Sequence, residues 1–302
     1  MIAVAGAPVS FGVFELAPEE GAELPGPDSI AATLAAAGYT GIDLGPVGFL
    51  GRGTEFADRL ARHGLALAGG WIDLPFHDDD AYAASVATLD DALDAFAEAG
   101  RPDDSRPAAK PTLAASSTPE RGAHPGGGVG LSLTGRDRAL FMANVSRAAD
   151  RVRERGFEPT FHHHASTFVE TVPEIEAFLD LTDVDLTLDT GHLILGGGDP
   201  VTALRDWGTR INHLHIKDAR IDVLRSIVAG GGGLREVWSA GAFAPLGEAD
   251  LDLDAFMSAL LASDYSGWLV VEQDVIPQPG DPVDRAADDQ KTNRTVLERW
   301  IP

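Results

Sequence analysis

Cysteine is absent from all 302 residues. Disulfides and thiolate metal sites are thereby excluded, and any metal must be held by His, Asp or Glu. Lysine is scarce: Lys110, Lys217 and Lys291 are the only three, and arginine carries nearly all the positive charge. With 23 basic against 47 acidic residues, the formal net charge is −24. Such a surface repels phosphate backbones and disfavours nucleic acid as a partner. No apolar run reaches the roughly 18 residues of a membrane span, so no membrane is expected. The start, Met1-Ile2-Ala3-Val4-Ala5-Gly6, has no basic leader and already reads as a strand, which predicts no signal peptide and leaves the cytoplasm as the default location. An Asp-rich, Lys-poor, Ala-rich chain also suggests a salt-adapted or high-GC source.

What is present is enough for one large core, since 44% of the residues are hydrophobic. Strand and helix signals alternate along the whole chain. Strands are predicted at 2–6, 41–44, 65–72, 111–116, 158–164, 184–189, 211–216 and 268–272. Helices are predicted at 29–37, 54–63, 80–99, 135–155, 172–181, 200–207, 253–262 and 283–300, several with a glycine just after them. Eight such units give a closed parallel barrel or a doubly wound sheet. The count and the length favour a single (β/α)8 TIM barrel, one domain spanning 1–302. Two segments break the rhythm and read as long loops after strands 4 and 7: 101–134, rich in Pro, Gly and Ser, and 219–250, with Gly230-Gly231-Gly232-Gly233. The second lies on the catalytic face, where it is either a binding loop or a flexible surface excursion.

Four predicted strands end on metal-ligand residue types: Phe161-His162-His163-His164, Leu188-Asp189-Thr190-Gly191-His192, His213-Leu214-His215-Ile216-Lys217-Asp218 and Val270-Val271-Glu272-Gln273-Asp274. In a parallel barrel the carboxyl ends of the strands converge on one mouth. Side chains alternate along a strand, so His162 and His164 share a face, as do His213, His215 and Lys217. Taken singly, each has an ordinary reading: a core histidine, an Asp189 that caps a turn, a surface Lys217–Asp218 pair. Taken together they supply the imidazoles and carboxylates of a divalent-metal site. Asp189 and Glu272 each end an apolar run, where an unpaired carboxylate is costly to bury.

These motifs, with Ala7-Pro8-Val9-Ser10-Phe11-Gly12, 38–46 and Pro245-Leu246-Gly247-Glu248, resemble the sugar-phosphate isomerase/epimerase superfamily of xylose isomerase-like TIM barrels, and within it the inosose dehydratases. The resemblance spans nearly the whole chain. It implies a metal held by His162, Asp189, His215 and Glu272, a substrate contacted by His164, His192 and Asp218, and catalysis by Glu272, Lys217 and His192. It also implies a divalent cofactor, Mn, Co or Mg, with Zn the poorer fit. At the first ligand position the epimerases keep a Glu that also moves protons; here His162 stands there. That departure, with the triple histidine shared by inosose dehydratases, favours loss of water from a keto-inositol or similar polyhydroxy ketone. Isomerisation or epimerisation of a ketose or sugar phosphate is the alternative. A non-catalytic sugar-binding barrel and an abasic-site endonuclease remain further readings, the last opposed by the charge. The expected partner is a small polyol ketone or sugar, and an assembly of identical chains is compatible with it.

Overall fold

The computed structural model describes residues 1–14, 20–102, 104–128, 130–282 and 284–302. Eight barrel strands run in parallel: β1 Ile2–Gly6, β2 Gly41–Ile42, β3 in two pieces (Ala66–Leu67 and Gly69–Leu74), β4 Lys110–Ala115, β5 Thr160–His162, β6 Leu186–Asp189, β7 Ile211–Ile216 and β8 Gly267–Val271. The sheet order runs from the first piece of β3 through β2, β1, β8, β7, β6, β5 and β4 to its second piece. Ala68 joins the pieces. Its N–H donates to Ile42 O (2.9 Å), and its carbonyl accepts from Lys110 N (3.0 Å). The circle is therefore complete, and the doubly wound alternative is excluded.

Period-two alternation sorts the side chains into two layers. Leu269 and Val271 on β8 and Leu214 and Ile216 on β7 belong to the large core cluster packed with the helices. Ala3, Ala5, Ala7, Ala66, Ala68, Trp268 and Val270 form a second cluster inside the barrel. The alanines leave room for one large side chain: a Cβ on Gly41 would lie 2.5 Å from the Trp268 ring. Trp268 thus plugs the interior near the amino end of β8. Further along, the interior turns polar, beginning with a 2.8 Å hydrogen bond between the Thr160 and Thr187 hydroxyls.

Helices Val172–Leu181, Pro200–Trp207 and Leu253–Ala262 and strand Ile211–Ile216 stand where the sequence patterning places them. The first strand of the triple-histidine segment is shorter than expected, because after His162 the chain turns: His164 N bonds Val169 O. The predicted start of the last helix, Val283, lies outside the described residues; the helix is described over Arg285–Leu297.

The expectation of a long loop after the seventh strand needs correcting. Asp218–Ala219 pairs antiparallel with Phe243–Ala244, and helices Ile221–Ala229 and Leu234–Ser239 stand between them. The glycine run merely separates the two helices. Leu224, Val237, Trp238 and Phe243 from this segment are buried in the main core, which is what orders it. The other excursion, after β4, folds onto the start of helix Val172–Leu181 through a buried ion cluster. Arg121 meets both oxygens of Glu174 (3.1 Å each) and Glu170 (3.2 Å). No helix among the described residues is long and apolar enough to cross a membrane.

Candidate metal centre and active site

The four predicted ligands converge. One donor atom each from His162, Asp189, His215 and Glu272 lies within 4.8 Å of all the others, and all four residues are buried. His162 Nε2 and His215 Nδ1 are 3.2 Å apart and face Asp189 Oδ2 at 3.4 and 3.7 Å. Glu272 Oε2 lies 2.9 Å from His215 Nδ1. A four-coordinate ion with bonds of about 2.1 Å spaces its donors about 3.4 Å apart. The observed separations bracket that value, and the N/O donor set suits a divalent cation.

Asp189 reconciles two readings that the sequence left competing. Its Oδ1 accepts from His192 N at 2.9 Å and caps the short helix Thr190–Leu195. Its Oδ2 accepts no hydrogen bond in the described structure and faces the imidazoles. The same carboxylate both starts the helix and offers a donor. Behind it, the Asp189 N–H donates to His163 Nε2 (3.1 Å), so the middle histidine of the triplet braces the strand end from the far side.

Lys217 lies inside the centre. Its Nζ is 3.3 Å from Asp189 Oδ2, 3.0 Å from Glu272 Oε2 and 2.8 Å from Asp274 Oδ1. It also lies 3.0 Å from His192 Nε2. Burial alone would discharge this lysine, but the three carboxylates hold its pKa above the ordinary lysine value. Burial likewise opposes ionisation of Glu272, yet His215 and Lys217 keep it well below the usual carboxylate range. Burial, reinforced by neighbouring cationic groups, keeps His164 and His192 neutral. A neutral His192 can therefore accept a hydrogen bond from the ammonium through Nε2.

His164 lines the mouth, whereas His192, expected to touch the substrate, is fully buried behind it, its ring centroid 3.8 Å from that of His164 and its ring stacked on Trp238. The cavity above the cluster is about 140 Å³ and is walled by Trp71, Trp238, Phe14, Val9 and Pro46. At about 30 Å³ per water that is room for about five waters, the scale of one small polyol ring. Trp71 sets its edge against His162 and His164.

Asp218 is not brought to this cavity, contrary to expectation. Its two oxygens accept from the N–H groups of Gly247, Ala249 and Leu251 (2.9–3.0 Å). A wholly buried carboxylate committed to three backbone donors organises the Pro245–Leu251 turn and has nothing left for a substrate.

Besides the apolar walls, two acids outside the predicted set reach the cavity, Asp43 and Asp274. Asp43 follows β2 and is raised to about 7, chiefly by burial and also by Glu272, against the opposing pull of His215 and Lys217. A Cβ on Gly69 would lie 2.8 Å from Asp43 Oδ1 and 2.9 Å from His213 Nε2, so a bare glycine makes space for both. The signal for Asp43 was available: it is one more acid at a strand end. Asp274, two residues past Glu272, is buried and raised to about 6 by burial despite the pull of Lys217.

The sequence is 34% identical over 145 residues to an inosose dehydratase of Clostridium tetani, and the match covers 47% of this chain and 49% of that one. The chain thus aligns with about half the length of that relative. It is 31% identical over 273 residues to the rhizopine catabolism protein MocC of Rhizobium meliloti, covering 88% of this chain and 80% of the other. The fold superposes on the structure of the IOLI protein with a bound zinc atom at a TM-score of 0.68, over 99% of both chains at 13% identity. The profile of the xylose isomerase-like TIM barrel family matches residues 31–294. By its closed eight-stranded barrel and by that match, the chain belongs to the xylose isomerase-like TIM barrel family.

Proposed function

We propose that the protein is a divalent-metal-dependent dehydratase that eliminates water from a polyhydroxylated cyclic ketone of the inosose type. The observation that carries this reading is a buried ammonium, Lys217, set directly against a two-imidazole, two-carboxylate donor set at the floor of a ring-sized cavity. His162, Asp189, His215 and Glu272 would hold the ion. Bound there, it supplies Lewis-acid polarisation of the ketone oxygen and favours the enolate.

The chain's own residues do the rest. Glu272 takes the proton from the carbon next to the ketone, and the electrons of that C–H bond form the new double bond. The C–O bond at the next carbon breaks. Lys217 donates a proton to the departing hydroxyl, which leaves as water. Asp189 and Glu272 are two of the three carboxylates that hold the lysine proton, and with a divalent ion in their keeping they would hold it less tightly, which would make the ammonium a better acid. His192 and Asp274 touch Lys217 and keep it oriented towards the cavity. Trp71 and Trp238 offer faces to the ring and exclude water.

The inosose dehydratase relative supports the substrate class, and the zinc in the IOLI structure supports a metal at this kind of site. Incubation with a keto-inositol should produce the absorbance of an unsaturated diketone. Glu272→Gln should abolish turnover, and full activity with full metal content in that variant would refute its role. Interconversion of ketoses with no loss of water would identify the epimerase chemistry instead.

A further inference from the structure

We propose that Lys217 fills the place of a second metal ion, its ammonium occupying a latent donor set made of His164, His192 and Asp274. The inference rests on the metal reading above. Those three residues offer donor atoms within 4.8 Å of one another, a cluster separate in its members from the four-residue one. They come from three different barrel segments: the turn after β5, the short helix after β6 and the stretch after β8. His192 Nε2 lies 3.6 Å from Asp274 Oδ2.

Lys217 Nζ occupies the junction of the two sets. It contacts Asp274 Oδ1 (2.8 Å) and His192 Nε2 (3.0 Å) on one side, and Glu272 Oε2 (3.0 Å) and Asp189 Oδ2 (3.3 Å) on the other. In two-metal enzymes the ions lie about 3.5–4 Å apart and share carboxylates. The ammonium stands where the second ion of such a pair would stand, with donors of the first set beside it.

The charges agree. Asp189, Glu272 and Asp274 bring three negative charges around Nζ, and one divalent ion plus one ammonium brings three positive charges. Removing the ammonium leaves a buried carboxylate uncompensated, which is strongly unfavourable. The vacated space is then lined by two imidazoles and a carboxylate, a set suited to Mn or Co. A single lysine therefore makes the centre mononuclear and keeps a proton donor where a second Lewis acid would otherwise sit.

The test strips metal from the wild type, Lys217→Ala and Lys217→Ala/Asp274→Asn and titrates each with Mn²⁺. Bound metal is counted per chain, and spin coupling is read by electron paramagnetic resonance. The expected counts are one, two and one, with coupled Mn²⁺ pairs only in Lys217→Ala. Two ions in the wild type, or one in a folded Lys217→Ala, would overturn the proposal. No ion in the wild type would instead sink the metal reading beneath it. If Lys217→Ala folds only with metal, recovery with two ions per chain supports the proposal, whereas recovery with one ion, or none at all, contradicts it.

Discussion

Replacing Glu170 by Gln should stabilise the protein, and only towards alkaline pH. Glu170 is wholly buried beside Arg121, a guanidinium that already forms a two-pronged pair with Glu174. One cation faces two carboxylates. Glu174 keeps its charge: burial opposes ionisation, but Ser132, the Thr171 N–H and Arg121 together lower its pKa. Glu170 takes the other role. Burial raises it from 4.5 to about 7, although the Ser166 and Gly126 N–H groups and Arg121 pull the other way. Its folded value lies above its unfolded one, so protonation favours the fold. The contribution is full below about pH 4.5 and is lost as the pH climbs through about 7. Across that gap the loss is roughly 3 kcal/mol. Glutamine imitates the protonated acid, keeping an oxygen for Gly126 N and shedding the charge. The variant should gain under about 1 kcal/mol at pH 5 and roughly 2–3 kcal/mol at pH 8. At about 2 °C per kcal/mol for a chain of this size, that is roughly 4–6 °C in Tm at pH 8. Thermal melts of both proteins at the two pH values measure it. An equal loss of stability at both would show that Glu170 is ionised and productively paired with Arg121.

Other consequences follow from the same contacts. Asp218→Ala strands three backbone N–H groups, so unfolding should become easier by roughly 2–4 kcal/mol while KM stays near its wild-type value; a raised KM with unchanged stability would restore a substrate role. Gly69→Ala drives a methyl into Asp43 and His213 and should cost about 1–3 kcal/mol and weaken metal binding, read by melting and by Mn²⁺ titration. The net charge of −24 predicts a Tm that rises as salt shrinks the screening length from about 10 Å to about 3 Å, between 0.1 and 1 M; a Tm indifferent to salt would remove the salt-adapted reading.

The barrel was legible because its signals are local and repeat. Apolar runs at strand length recur eight times, glycine follows several of the helices and Asp199-Pro200 opens one, and helix Val172–Leu181 and strand Ile211–Ile216 begin and end where the patterning puts them. The cluster of His162, Asp189, His215 and Glu272 was legible for a geometric reason: residues at strand ends must meet if the strands close a circle. Asp218 was misread because its neighbour Lys217 does point into the site. Alternation sends the next side chain the other way, into the Gly247–Leu251 amides, and those lie about thirty residues further along. The helices of 219–250 were hidden for a related reason. Glycines masked their boundaries, and their order comes from Trp238 and Phe243 packing against His192, a contact that only the folded chain creates. Asp43 and Asp274 were overlooked because each acid in isolation looks like a solvated turn. Only the closed barrel buries them beside Lys217 and His215.

The central claim is that distant imidazoles and carboxylates share one cation. Anomalous diffraction from crystals soaked in Mn²⁺ or Co²⁺ tests it most directly. A single peak about 2.0–2.3 Å from His162 Nε2, Asp189 Oδ2, His215 Nδ1 and Glu272 Oε2 is the predicted result. A clean map at that position in metal-saturated crystals, or a peak elsewhere in the barrel, would contradict it.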